Sequence, residues 1–306
     1  MDILFAGTPN SSANILKYLI DSELFNVTGV ITQPDKKGKR GNKLIESSVS
    51  ALAKKHNICT FKPKNLENDK CLDKIKAIKA DYLLVIAYGN LLPRWLIDLP
   101  EICSVNVHFS LLPKYRGASP IQAALLNGDT ETGITFMKIS DELDAGNIIS
   151  SNKIIIDQLD NKVILEQNLT SLCIDNILGV LNNIPNRDMN YKEQDHSKAT
   201  YCSKIKKQDS LIDFNNTCEE INNKFRAYFE WPGLNFLYKN ILIKIKDLKI
   251  TDIESDNSPG SLYKVDKTGI YLNTMDKVIV ITYLQFPNKS IISSLDAYNS
   301  YKDFFN

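Results

Sequence analysis

The sequence lacks most of the signals that mark a specialised protein. Its charges nearly cancel, with 37 Lys+Arg against 36 Asp+Glu for a formal net charge of +1. That excludes a generally polycationic nucleic-acid binder and leaves RNA contact to local patches. The six cysteines (Cys59, Cys71, Cys103, Cys173, Cys202 and Cys218) form neither a CxxC pair nor a zinc-ligand spacing. They read as free thiols in a reducing compartment rather than a disulfide framework. No apolar run approaches the roughly 18 residues that cross a bilayer, so no membrane partner is expected. The opening MDILFAGTP is too short and too acidic for a signal peptide, and a cytoplasmic protein is expected. GxGxxG and P-loop patterns are missing as well: the turn at Gly7-Thr8-Pro9 has one glycine and reads as structural.

What is present is the composition of an ordinary globular protein, 43% hydrophobic and 24% charged. The 306 residues suffice for two domains. From Asp2 to Leu181 β-type runs alternate with helical ones, which predicts an α/β fold with a mainly parallel sheet covered on both faces. Helices are expected at Ser11–Asp21, Ser48–Lys55, Asp69–Lys79, Leu91–Ile97, Ser119–Leu126 and Val163–Leu181. The intervening strands include Tyr82–Ile86, Gly133–Lys138 and Ile148–Ile156, the last two as a hairpin. A polar stretch, 183–207, reads as a linker between domains 1–182 and 208–306. Beyond it a helix at Thr217–Ala227 precedes about five short strands, which suggests a small closed or partly open barrel such as an OB-fold. Ser294–Asp303 is a candidate capping helix.

The chain is organised around Ser104–Gly117, SVNVHFSLLPKYRG. Val105 and Val107 alternate with Asn106 and His108, so the amide and the imidazole project from one strand face. Taken alone, this pair is equally a polar strand end. With Asp144, in a loop after the next predicted strand, it forms a polar constellation expected to converge at the sheet edge where such folds bind ligands. No serine or cysteine beside His108 sits in a nucleophile motif, which disfavours a covalent acyl-enzyme. One histidine with one acid makes a poor zinc site, and no metal is expected. Direct attack of an amine on a carbonyl remains. Negative charge then develops on oxygen, where Asn106 and a protonated His108 can donate, while Asp144 helps to carry off the proton. Lys36, Lys37, Lys39, Arg40 and Lys43 form an acid-free basic run with two glycines. It reads either as a solvated loop or as an arm that grips phosphates.

These residues resemble a known family. NVHFSLLPKYRGASPI, AYG at 87–89 and LDAG at 143–146 are similar to the formyltransferases that use 10-formyltetrahydrofolate. FAGTP, VITQPDKKGKRGNKL, TYCSKI, LIDF and FRAYFEWPG resemble the branch that acts on methionyl-tRNA. The resemblance covers almost the whole chain. It implies a Rossmann-like catalytic domain followed by an OB-like barrel, and formyl transfer from 10-formyltetrahydrofolate to the α-amine of methionyl initiator tRNA. It implies catalytic roles for Asn106, His108 and Asp144. It implies folate contacts from Ser110, Leu111, Leu112 and Pro113, from Ala87, Tyr88 and Gly89, and from the loop starting at Asp141. It assigns the basic run to tRNA, with the barrel as support, and a monomer is expected. Two positions depart from the family: Phe109 stands where glycine is usual, and Asn147 where an acid is common. Two rivals stay open. One is an amino-sugar nucleotide formyltransferase, for which the basic run and barrel are superfluous. The other is a non-catalytic RNA-binding protein on the same fold, against which the intact Asn106, His108 and Asp144 argue.

Overall fold

A computed structural model of the chain describes residues 1–38, 44–185 and 191–305. Two compact units result. The first comprises Met1–Pro120, Glu131–Ile155 and Glu166–Ser203, and the second comprises Ile121–Thr130, Ile156–Leu165 and Lys204–Asn306.

The first unit opens with β1 (Asp2–Gly7), α1 (Asn10–Asp21) and β2 (Asn26–Ile31). Ile3, Leu4, Phe5 and Ala6 are all fully buried. Such an unbroken apolar run marks a parallel strand covered on both faces. Burying each of the three large side chains stabilises the fold by about 1.5–3 kcal/mol. The short strands β3 (Lys36–Lys37) and β4 (Leu44–Ile45) pair antiparallel. The chain continues through α2 (Ser48–Lys55), β5 (Thr60–Phe61), α3 (Leu72–Lys76), β6 (Tyr82–Ile86), α4 (Arg94–Ile97), β7 (Cys103–His108) and β8 (Arg116–Gly117). After α5 (Pro120–Leu126) come β9 (Glu131–Lys138), β10 (Ile148–Ile155), α6 (Lys162–Asn183) and β11 (Tyr201–Cys202). The main sheet has the order β10-β9-β7-β6-β1-β2-β5. Pairing is parallel from β5 to β7 and antiparallel at β7–β9 and β9–β10. The chain leaves β1 towards β2 on one side and returns with β6 on the other. That topological switch makes a crevice at the carboxyl ends of β1 and β6.

Two helices start later than the sequence pattern predicts. The Asp69 carboxylate accepts from the backbone N–H of Lys64 and of Cys71, which holds residues 69–71 as a turn, so α3 begins at Leu72. Pro93 disfavours a helical conformation at the preceding residue, so α4 begins at Arg94. The stretch expected to be a linker is partly built into the first unit: Lys192 bridges to Ile148, and β11 pairs in parallel with β8.

The second unit carries α7 (Cys218–Ala227), β12 (Leu234–Tyr238), β13 (Ile241–Glu254), β14 (Leu262–Asp266), β15 (Gly269–Asn273), β16 (Lys277–Gln285), β17 (Ile291–Ser293), α8 (Ser294–Ser300) and α9 (Lys302–Phe305). Thr217 and Glu220 form a capping box at the start of α7, a device worth about 1 kcal/mol. The sheet is antiparallel, in the order β12-β13-β16-β15-β14 with β17 on β16. The 14-residue β13 shifts register three times against β16, and such bulges bend and twist a long strand. The core of this unit joins Phe236, Ile243, Ile270, Leu272 and Ile281 to Ile221 of α7 and Phe305 of α9.

Candidate active site

β7 delivers Asn106 and His108 as expected. Val105 and Val107 are buried in the sheet, Asn106 is half-buried, and His108 is 6% exposed. Asp144 joins them: its Oδ1 accepts from Asn106 Nδ2 at 3.5 Å, and its Oδ2 lies 3.6 Å from His108 Nδ1. The Gly117 N–H donates to the same Oδ2 at 2.8 Å.

Asp144 reaches this position differently from the route the sequence suggests. β9 runs antiparallel to β7, with Lys138 opposite Val105 and Thr135 opposite His108. The carboxyl end of β9 therefore lies away from His108, and the following loop must fold back over the strand. Asp144 adopts a left-handed backbone, φ +51°, within that reversal. For a residue with a Cβ this costs on the order of 1 kcal/mol and is kept only where surrounding contacts enforce it. Gly146 makes the return possible, because a Cβ there would lie 1.8 Å from the carbonyl oxygen of Lys138.

The other nitrogen of His108, Nε2, lies 2.8 Å from the carbonyl of Tyr115, a second residue with left-handed backbone. Both ring nitrogens thus face oxygen acceptors, and only a ring protonated on both can donate to both. Asn106 is the freer donor, since among the described residues its side-chain amide makes one hydrogen bond, a long one. Among the described residues, no cluster of three or more His, Cys, Asp or Glu side chains is placed to hold a metal ion. Cys202 Sγ lies 3.4 Å from the Tyr115 carbonyl, and burial pushes its thiol up from the ordinary range, which makes it a poor nucleophile.

The residues expected at a folate divide by environment. Ser110 and Leu112 have buried side chains. Ser110 Oγ donates to the Lys114 carbonyl at 2.6 Å, while Thr135 Oγ1 accepts from Leu112 N at 3.1 Å and donates to the Ser110 carbonyl at 2.7 Å. They hold the shape of the turn, and Leu111 and Pro113 are left half-buried. At the neighbouring strand end Ala87 and Gly89 are exposed with left-handed backbones, whereas the Tyr88 ring is 1% exposed. The Tyr88 carbonyl accepts from Thr8 Oγ1 at 3.0 Å and Gln33 Nε2 at 3.1 Å across the switch crevice. Asp141 is exposed and pairs with Arg94 at 3.3 Å. A hollow of about 330 Å³ opens beside Asn90–Pro93 and Lys64–Glu67, next to Gly89 rather than over His108. β6 and β7 are parallel neighbours, so both turns share one sheet edge. Phe109, half-buried, lies outside the left-handed region, so its side chain brings no backbone strain there.

In the basic run, Lys36 and Lys37 are exposed on β3. Lys39, Arg40 and Lys43 lie outside the described residues. Arg116 and Gln194, both nearly fully buried, carry no functional signal in the sequence, although Gln194 donates to the Asp144 carbonyl. Buried polar side chains at those positions carry no periodic signal.

The chain is similar to known proteins along nearly its whole length. The formyl transferase model matches residues 1–177, and the model of the formyl transferase C-terminal domain matches 204–302. Methionyl-tRNA formyltransferase of Thermotoga maritima is 38% identical over 98% of this chain and 95% of its own length. The enzyme of the same name from Sulfurihydrogenibium is 39% identical over 99% and 97%. The chain belongs to the methionyl-tRNA formyltransferase family. It is thus a member of a formyl-transferring enzyme family. Among solved structures, the sugar 3N-formyltransferase WlaRD, crystallised with dTDP and 5-N-formyl-THF, has a TM-score of 0.69 at 23% identity, over 95% of this chain and 99% of that one. HypX from Aquifex aeolicus in complex with tetrahydrofolic acid has a TM-score of 0.63 at 14% identity, over 98% of this chain and 47% of that one. These two share the fold. No described helix is long and apolar enough to cross a membrane.

Proposed function

We propose that this protein transfers a formyl group from 10-formyltetrahydrofolate to the α-amine of methionyl initiator tRNA, in the cytoplasm. The observation that carries the reading is the convergence of Asn106, His108 and Asp144 at the carboxyl end of β7, in a chain 35–39% identical to methionyl-tRNA formyltransferases. The exposed left-handed backbone at Ala87 and Gly89, the half-buried Leu111 and Pro113, and the carboxylate of Asp141 suit a flat heterocycle with polar edges. These groups would hold the formyl donor, with Ser110, Leu112 and Tyr88 setting their shape from below.

Attack by the amine places negative charge on the formyl oxygen. The Asn106 N–H donates to that oxygen, and an oriented donor of this kind is worth about 3–4 kcal/mol. For His108 to join it, the ring must give up its bond to the Tyr115 carbonyl. A neutral His108 instead accepts the proton that the attacking nitrogen sheds, with Asp144 keeping the ring oriented and offsetting its charge. The tetrahedral intermediate then collapses by breaking the bond from the formyl carbon to the folate nitrogen, and that proton passes to the leaving nitrogen of tetrahydrofolate. The first unit is then the catalytic domain. Lys36 and Lys37, with Lys39, Arg40 and Lys43, contact tRNA phosphates, and the second unit supports the tRNA.

The amino-sugar nucleotide alternative is disfavoured by sequence, 23% identity against 35–39%. The C-terminal domain by itself does not discriminate, because the sugar enzyme aligns over 95% of this chain. The test is a formyl-transfer assay with 10-formyltetrahydrofolate that offers methionyl-tRNA and amino-sugar nucleotides in parallel. Transfer to methionyl-tRNA alone is expected. Transfer to the sugar alone overturns the acceptor, and transfer to neither overturns the enzyme reading.

A further inference from the structure

We infer that Gln194 is a positioning residue for the Asp144 loop, an inference that rests on the catalytic reading of Asp144. Gln194 is 3% exposed and lies in the segment between α6 and β11. Its amide nitrogen spends both hydrogens on the loop, one on the Asp144 carbonyl at 2.9 Å and one on the Gly146 carbonyl at 2.7 Å. Those two carbonyls flank the point where the chain turns back over β7. The amide cannot flip, because its oxygen accepts from two nitrogens of Arg116, Nε at 3.1 Å and Nη2 at 2.8 Å. An inverted amide would set N–H groups against a guanidinium, which has no acceptor.

Arg116 is held in turn. It is 2% exposed, its Nη1 and Nη2 lie 3.4 Å from His196 Nδ1, and its Nη1 lies 3.5 Å from the Tyr201 hydroxyl. It also sits next to Gly117, whose N–H donates to the Asp144 carboxylate. A Cβ at Gly117 would lie 2.3 Å from the carbonyl oxygen of Cys202, so β8 and β11 close tightly beneath this pair. Asp144 is therefore fixed twice from one short strand: its side chain by Gly117 directly, and its backbone by Arg116 through Gln194. The second tie opposes the strain of the left-handed Asp144. Without it the loop relaxes and the carboxylate leaves its place between Asn106 and His108. Errors of about 1 Å at a reacting centre cost on the order of a hundredfold in rate.

The experiment is a double-mutant cycle on the full-length chain with Gln194→Ala, Asp144→Asn and both together, read as kcat and KM for formyl donor and acceptor. Gln194→Glu runs beside it. That variant keeps an acceptor for Arg116 and so holds the fold, but its carboxylate has no N–H for the two loop carbonyls. The expected result is a kcat 10- to 100-fold lower in both Gln194 variants, each KM within threefold of wild type, and a double mutant no slower than Asp144→Asn. Wild-type kcat in folded Gln194→Glu overturns the inference, as do losses that multiply in the double mutant, which would mean Gln194 acts independently of Asp144. Wild-type kcat in Asp144→Asn itself overturns the catalytic reading instead, a different outcome from failure of the positioning role alone.

Discussion

Gly146→Ala is a one-carbon change that tests how tightly the Asp144 loop must close. A Cβ at that position would lie 1.8 Å from the oxygen and 2.9 Å from the carbon of the Lys138 carbonyl, and 3.5 Å from Ser140 N. The obstacle is the backbone of β9, already paired with β7 and β10, and cannot swing aside as a side chain would. Reaching van der Waals separation requires the loop to retreat by roughly 1.5 Å. Gly146 also gives a carbonyl to Gln194 at 2.7 Å, so the retreat loosens that bond, and Asp144, two residues away, moves with it. Overpacking of this kind typically costs about 1–3 kcal/mol of stability. The same displacement at the reacting centre lowers kcat by about a hundredfold. Single-turnover formyl transfer, run well below the melting midpoint of the variant, separates the two effects. A folded Gly146→Ala protein with wild-type kcat would show that the carboxylate position does not govern the rate.

Three further outcomes are expected. Thr135→Val leaves the buried Leu112 N–H and Ser110 carbonyl without their hydroxyl partner. It lowers unfolding free energy by about 1–3 kcal/mol in denaturant titrations, and an unchanged midpoint would mean the turn is held elsewhere. Replacing Lys36 and Lys37 with Ala lowers the slope of log Kd for tRNA against log salt by about 1–2; an identical slope would remove them from the phosphate contacts. In the second unit, the Thr268 hydroxyl, and after it the Lys264 ammonium, hold the Asp266 carboxyl down to about 2. Its folded value lies below the ordinary carboxylate value of about 3.9, so its contribution is present above about pH 4 and is lost as pH falls towards 2. With the side chain 38% exposed, solvent screening keeps that contribution below about 1 kcal/mol. Asp266→Asn should therefore lower Tm slightly at pH 6 and leave it unchanged near pH 2; a Tm loss that persists at pH 2 would point to a role other than the charge.

The sequence made some of this legible for physical reasons. Parallel strands such as β1 and β6 are buried on both faces, so they show as apolar runs. The alternation of Val105 and Val107 with Asn106 and His108 fixes which side chains share a face before any contact is known. The folded-back loop was less legible. The reversal depends on an antiparallel β9, a left-handed Asp144 and a glycine that admits the Lys138 carbonyl, and of these only Gly146 leaves a trace in composition. Arg116 and Gln194 were hidden for a related reason. Each looks like a surface residue by type, and burial comes from mutual pairing rather than from hydrophobicity. Helix starts fall later than the apolar pattern predicts where a side chain or a proline delays the first turn, as Asp69 and Pro93 do. β17, three residues long, falls below the length at which alternation can be recognised.

We propose that Asn106 stabilises the charge that develops on the transferred formyl group. The most direct test is single-turnover transfer from 10-formyltetrahydrofolate to methionyl-tRNA by Asn106→Ala, with binding of each substrate measured separately. The expected rate is lower by about 100- to 1,000-fold, with both Kd values within a few-fold of wild type. A rate near wild type, or a loss that appears only in Kd, would contradict it.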